Sequence, residues 1–317
     1  MMKKLELLDS YKMKDLNILL HAPLHPSYWN YLIETMPEHD WFVEPKANFQ
    51  EAGTPRDNIK YTVVQKNSKI KFDVQIICLS THSELAHNIV KDFNVPIVFL
   101  DFHKWKVPKF RIKYPLISAC YHTANKDYPN IKYNYVPPSK TLWNKKWEGD
   151  IPKVFIPAQR YLESPYAHTY FSKLIPKLQE TDLNLEIVEN KTRTIPWSEW
   201  QDFFIHNRVL LDCADKTSSF VLEEAMTIGM PVISRNMFES PYVIRDRIDG
   251  FLKWNEEELI NILFKFTEDY SFAKKWSRRS KKRGEEVLSV EKTRKVFNDS
   301  FHNAIDLYNS TNDPFKR

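Results

Sequence analysis

The chain has 317 residues, 42% hydrophobic and 27% charged, enough for two domains of ordinary size, each with its own core. Five glycines against nineteen prolines, with neither GxGxxG nor GxxxxGK(S/T) present, argue against dinucleotide-dependent dehydrogenases and P-loop enzymes. The formal net charge of +5 is compatible with nucleic acid, anionic lipid or a phosphorylated substrate as partner. Apolar runs such as Val95–Leu100 are far below membrane-spanning length, and the first residues lack the apolar core of a signal peptide. Cys78, Cys120 and Cys213 stand far apart in apolar settings, fit no metal spacing and read as reduced core residues. A cytoplasmic protein with no integral membrane segment is expected; the sequence does not give its oligomeric state.

In chain order, Met1–Lys14 reads as a lead-in helix and Leu16–Ala22 as a first buried strand. A proline-broken loop follows, then a helix through Leu32–Met36. Tyr61–Gln65 is a short strand, Phe72–Leu79 a buried strand, Glu84–Phe93 a helix and Val95–Asp101 another strand. Short apolar runs alternating with helices imply a parallel sheet with crossovers. Trp147–Pro152 reads as an interdomain linker, which divides the chain into domains 1–148 and 149–317. Val154–Pro157 opens the second domain as a strand, Tyr166–Gln179 is helical, Leu185–Val188 is a strand and Ser198–Phe204 a short helix. Beyond Leu252, Glu256–Asp269 is a helix with acids in its first turn. About Val290–Tyr308 is the closing helix.

Two stretches are strongly basic. His103–Trp147 holds ten Lys/Arg and one acid, Asp127, with interleaved Trp105, Phe110, Tyr114, Tyr121, Tyr128, Tyr133, Tyr135, Trp143 and Trp147. Cations that track phosphates among rings that stack on bases are a nucleic-acid footprint; a solvated basic face over an aromatic core is the alternative. Lys274–Arg283 carries seven cations and no acid, and reads as one exposed helix face.

The most informative stretch is Val209–Leu252. Val209–Leu211 is a buried strand, Asp215–Ser219 a polar loop, and Ser218 or Ser219 a cap for a helix with Glu223 and Glu224 early in it. Gly229 ends that helix and Pro231–Ile233 starts the next strand. Such a unit points free backbone N–H groups and the positive end of a helix dipole at the end of a strand. That is an anion site suited to a diphosphate.

The same residues carry a resemblance. Phe220-Val221-Leu222-Glu223-Glu224-Ala225-Met226, then Gly229-Met230-Pro231-Val232-Ile233, resembles the donor-binding signature of family 4-type glycosyltransferases of the GT-B fold. The resemblance implies an α/β protein with two Rossmann-like domains, their parallel sheets facing a central cleft. Acceptor would bind to the first domain and nucleotide sugar to the second, with the last helix packing back on the first. The family's ribose-holding glutamate falls on Glu224; one carboxylate can accept two bonds from a vicinal diol. Its second glutamate, eight residues earlier, is replaced by Lys216, with Asp215 beside it.

Further positions follow from the same resemblance. Pro96–His103 matches the family's proline–strand–histidine element, so His103 would lie near donor sugar and phosphate. Arg160 would bind the diphosphate through its two-pronged guanidinium; the lysine that normally assists is replaced by Pro165. The base would lie near Arg193 and Thr194, and the helix tip at Thr217, Ser218 and Ser219 would face the diphosphate. Asn134-Tyr135-Val136-Pro137 resembles the family's Asn-Gly-Val-Asp stretch. His25 and the cations Lys106, Lys109, Arg111 and Lys113 are the candidate acceptor contacts.

The expected function is transfer of a sugar from a nucleotide donor, UDP-linked, to a hydroxyl with retention, Arg160, His103 and Lys216 acting at the reacting centre. The nucleotide sugar is a co-substrate. No Asp-x-Asp metal motif occurs, so no metal or other cofactor is expected. A hydroxymethylated pyrimidine in double-stranded DNA, as in phage enzymes that glycosylate their own genomes, is the expected acceptor. Two alternatives stay open: a cell-envelope glycan or lipid-linked acceptor, and a non-catalytic protein that binds nucleotide sugar, glycan or nucleic acid.

Overall fold

The computed structural model describes residues 15–21, 26–43, 61–64, 69–78, 95–101, 114–118, 131–157, 171–188, 195–212, 220–236, 240–253 and 255–310. These form two parallel sheets. The first is built from β1 (Asn17–His21), β2 (Asp40–Val43), β3 (Thr62–Val63), β4 (Val74–Cys78), β5 (Ile97–Asp101), β6 (Leu116–Ser118) and β7 (Ile131–Tyr133), with α1 (Pro26–Thr35) between β1 and β2. Its strand order is β3-β2-β1-β4-β5-β6-β7, every pairing parallel. Ile18, Leu19 and Leu20 are fully buried, as strands covered on both faces must be.

The second sheet comprises β8 (Ile151–Pro157), β9 (Leu185–Val188), β10 (Asn207–Leu211), β11 (Val232–Ser234) and β12 (Phe251–Leu252). Its order is β12-β11-β10-β8-β9, again all parallel. Around it run α2 (Phe171–Gln179), α3 (Trp197–His206), α4 (Phe220–Ile228), α5 (Ser240–Val243), α6 (Glu256–Glu268) and α7 (Tyr270–Val287). Sequence order reverses between β1 and β4 in the first sheet and between β8 and β10 in the second. In open parallel sheets a crevice forms at such points, outside the carboxyl ends of the strands. No helix among the described residues is long and apolar enough to cross a membrane.

The chain does not stay where it ends the second sheet. Its last helix, α8 (Val290–Asn309), lies against β4, β5 and β6 and touches α1. Ser289 caps it by accepting from Lys292 N. Its own Phe297 and Phe301 are fully buried, each stabilising the packing by about 1.5–3 kcal/mol. Polar groups set its register: His39 Nε2 meets Asn298 Oδ1 at 3.1 Å, and Arg294 pairs with Glu38 at 2.7 Å.

Several expectations change. Trp147–Pro152 lies between the two sheets and is packed rather than loose. Trp147 is buried; its backbone N–H donates to Ile228 O at 3.1 Å and its indole N–H to Asn207 O at 2.9 Å. Glu148 and Gly149 N–H both reach Ile205 O, and β8 starts at Ile151. Pro152 is tolerated because the first two residues of β8 are exposed and the register with β10 shifts there. Strands β2, β6, β7 and β12 were not foreseen. Within the basic stretch, Tyr114, Tyr135, Trp143 and Trp147 are core residues, so these four rings stack on protein rather than on bases. The lead-in helix at Met1–Lys14 and the helix at Glu84–Phe93 lie outside the described residues.

Candidate functional site

Helix α4 places the central carboxylate. It begins just past the carboxyl end of β10 and stops at Gly229, whose φ of +91° is left-handed space that other residues enter only with strain. Gly229 N–H and Met230 N–H both close on Ala225 O. Leu222 through Met226 are buried, because this helix is covered by the second sheet, by α7 and by the first domain. Glu223 and Glu224 are therefore interior carboxylates, exposed by only 2% and 4%.

Glu224 meets the first domain. Its Oε1 accepts a hydrogen bond from the Tyr31 hydroxyl at 2.6 Å, the length of a charge-assisted O–H···O⁻ bond. Tyr31 lies on α1 and is itself buried. Its oxygen accepts from Trp143 Nε1 at 3.0 Å. Trp143 packs edge-on against Trp197 and Phe204 of α3, with centroids 5.3 and 5.0 Å away. The contact thus joins α1, the crossover segment 134–150 between the two sheets, and α4.

Other buried polar groups gather at the strand ends. Asp212, just beyond β10, accepts from Ser234 Oγ at 3.2 Å, and Ser234 Oγ lies 2.8 Å from Ser240 Oγ. His21, the last residue of β1, has Nε2 2.8 Å from Gln75 Oε1, and Gln75 Nε2 donates to Val95 O at 3.0 Å. Sequence reasoning missed Tyr31, Trp143, Asp212, Ser234 and His21. Only His21 and Asp212 carried a readable signal, a polar residue closing an apolar run.

Of the sequence-predicted site residues, Glu224 alone falls among the described residues. Arg160, His103, Lys216, Thr217, Ser218, Ser219, Arg193, Thr194, His25, Lys106, Lys109, Arg111 and Lys113 lie outside them. The strands that lead to two of these segments are neighbours. β8 pairs with β10 in the register Val154 to Val209 and Phe155 to Leu210. The chain carrying Arg160 and the chain carrying Lys216–Ser219 therefore leave adjacent strands at the point where strand order reverses.

A hollow of about 180 Å³ borders Tyr31 between α1 and the start of α8, flanked by Lys140 and Arg294. Drug-sized ligands need roughly 300–1,000 Å³, so it is too small for a nucleotide sugar. Helix α7 presents exposed Lys274, Lys275, Arg278, Arg279 and Lys282. At 100° per residue these occupy one arc of about 140°, opposite the buried Ala273, Trp276, Ser280 and Gly284.

Among the described residues one group has the makings of a cation site: Glu148, Asp150 and His206, with ligand atoms within 4.8 Å of one another. His206 Nδ1 lies 2.8 Å from Asp150 Oδ1, and that bond holds the Asp150 carboxyl below its ordinary range. The positive charge of Arg208 acts on Asp150 as well, which disfavours a divalent ion there.

Two all-parallel sheets, with a last helix that returns from the second to lie on the first, define an α/β protein of the GT-B architecture. No protein-family model matches the sequence, and no curated protein matches it. Solved structures are similar. HepE of Anabaena, in complex with UDP and glucose, shares 12% identity at a TM-score of 0.62, over 90% of this chain and 99% of that one. A glycosyltransferase from Rickettsia africae shares 12% identity at a TM-score of 0.64, over 94% and 100%. Sucrose-phosphate synthase from Thermosynechococcus elongatus shares 11% at 0.64, over 92% and 100%.

Proposed function

We propose that this protein is a glycosyltransferase that moves a sugar from a UDP-linked donor to a hydroxyl, with retention at the anomeric carbon. The observation that carries the reading is the buried Glu224 carboxylate. It lies on the helix that follows β10, beside the reversal of strand order, where the first domain closes over it. Similarity to HepE, in complex with UDP and glucose, supports the donor class.

In this reading residues 149–317 bind donor and 1–148 bind acceptor. Glu224 accepts the ribose hydroxyls, and the amides at Thr217, Ser218 and Ser219 meet the diphosphate with the positive end of α4 behind them. Arg193 and Thr194 lie along the base. Arg160 and Lys216 stabilise charge growing on the leaving diphosphate, and His103 hydrogen-bonds the departing group. The bond from the anomeric carbon to the diphosphate oxygen breaks while the acceptor oxygen bonds to that carbon on the same face. The acceptor's proton passes to the departing diphosphate. The chain supplies charge and orientation rather than a nucleophile, and the reading assigns no metal.

For the acceptor we infer a hydroxymethylated pyrimidine in DNA, such as a phage genome carries. The ten Lys/Arg of His103–Trp147, within the acceptor domain, support a polyanionic acceptor; the five exposed cations of α7 belong to the donor domain and would add a second contact from that side. A hydroxyl pointing into the major groove is reachable with little or no base flipping.

One assay tests both halves. The protein is incubated with a panel of nucleotide sugars and hydroxymethylated DNA, and the digested nucleosides are weighed. A nucleoside heavier by one sugar is the expected result. Nucleotide release without a heavier nucleoside would move the acceptor to a glycan or lipid. If no nucleotide sugar is bound or turned over, the transferase reading fails.

A further inference from the structure

We propose that Tyr31 is a positioning residue for Glu224, so that the donor site is completed from the first domain and only when the two domains are closed. This rests on the reading of Glu224 as the ribose-holding group.

The direction of the relay is fixed by chemistry. An indole N–H can only donate, so Trp143 Nε1 gives its hydrogen to the Tyr31 oxygen at 3.0 Å. The Tyr31 proton is then committed to Glu224 Oε1 at 2.6 Å. All three side chains are at least nine-tenths buried, where little water is at hand to replace either bond.

Each member is held by different neighbours. Tyr31 is on α1, where Thr35 Oγ1 donates to its carbonyl at 2.7 Å. Trp143 leans on Trp197 and Phe204 of α3, and its backbone N–H closes on Ser139 O at 2.8 Å. Glu224 is on α4. The relay therefore starts at Trp143, a first-domain residue that leans on α3 of the second, passes to Tyr31 and crosses to the second domain at Glu224. Separating the domains would take the Tyr31 donor from the Glu224 carboxylate, the loss of a hydrogen bond to a charged group. Whatever holds Glu224 in place favours closure, and closure favours whatever Glu224 holds.

The experiment is a double-mutant cycle read by calorimetry with UDP, and with 2′-deoxy-UDP as control. Tyr31→Phe keeps the ring and removes the proton; its UDP affinity is expected to fall about tenfold, as loss of a hydrogen bond to a charged group predicts. The loss should shrink for 2′-deoxy-UDP, which offers Glu224 one hydroxyl fewer. Combined with Glu224→Gln, Tyr31→Phe should add little, because it acts through that carboxylate. Unchanged affinity in Tyr31→Phe, or losses that multiply in the double variant, overturns the proposal.

Should Tyr31→Phe fail to fold, small-angle scattering of Glu224→Ala without nucleotide decides. The radius of gyration is expected to rise as the domains part, and an unchanged value sinks the clasp. A wild-type protein that binds no nucleoside diphosphate from a UDP, GDP, ADP and dTDP panel is a different failure. It removes the donor reading on which the proposal rests, and it is seen before any variant is made.

Discussion

Asn134 Nδ2 donates to Thr293 Oγ1 at 3.0 Å, joining residues 159 apart in sequence, and the same threonine hydroxyl donates to Tyr135 O at 3.0 Å. Thr293 is fully buried at the start of α8. Thr293→Val keeps the shape and deletes both bonds. Stability should fall by about 1–3 kcal/mol, read as a lower urea midpoint at constant slope. A midpoint equal to wild type would mean that the Thr293 bonds add nothing to the docking of α8.

Gly284 lets α7 approach α4 closely. A Cβ there would stand 2.8 Å from Met226 O, a backbone atom that cannot swing aside. Gly284→Ala should cost about 1–3 kcal/mol as the helices part. Met226 follows Glu224 by two residues, so UDP affinity should drop with it. A melting curve and a titration on one sample check both, and a drop in melting temperature with full UDP affinity would separate packing from site.

Asp299 bridges Lys132 at 3.3 Å and Lys295 at 3.0 Å. Burial pushes its carboxyl up, but the hydrogen bonds from Lys295 and Lys132 outweigh this and hold it below the ordinary carboxylate range. A carboxyl lowered in the folded state stabilises the fold above its unfolded pKa and loses that contribution as pH falls through the folded one. Lys132 and Asp299 are a third to a half exposed and Lys295 three-quarters, so the contribution is about 0.5 kcal/mol. Asp299→Asn should be less stable than wild type at pH 7 and equal to it in acid below the ordinary carboxylate range. Urea unfolding at the two pH values checks this.

The α7 stripe yields a salt test. Lys275→Glu, Arg278→Glu and Lys282→Glu together should weaken binding to duplex DNA. They should also flatten the logarithmic salt dependence by about 0.9 for each phosphate no longer neutralised. Fluorescence anisotropy across a salt series measures it. UDP affinity should hold, since the stripe faces away from the buried side of α7 that packs on α4. An unchanged salt slope would remove α7 from any DNA contact.

Much of the framework was legible because burial on both faces leaves a plain mark. Leu185–Val188 appeared as expected, and Phe72–Leu79 and Val95–Asp101 differed from β4 and β5 only at their ends. The unit around Glu224 was legible for the same reason, with Gly229 and Pro231 as punctuation. Strands β6 and β7 were hidden by brevity, three residues each, inside a stretch whose charge drew the eye. The burial of Trp147 was hidden because a lone aromatic beside Lys145, Lys146 and Glu148 gives no period. Nothing local marks Tyr31. Its role comes from a contact with a residue 193 positions away, and no window of sequence spans that.

The return of α8 to the first sheet has a bearing on how the molecule can be divided. A cut at the crossover would leave an amino-terminal fragment with β4, β5 and β6 stripped of α8. The other fragment would trail an amphipathic tail with no surface to sit on. Neither piece is self-sufficient, so each should aggregate when expressed singly. Produced together, they should find one another and reassemble, as split reporters do.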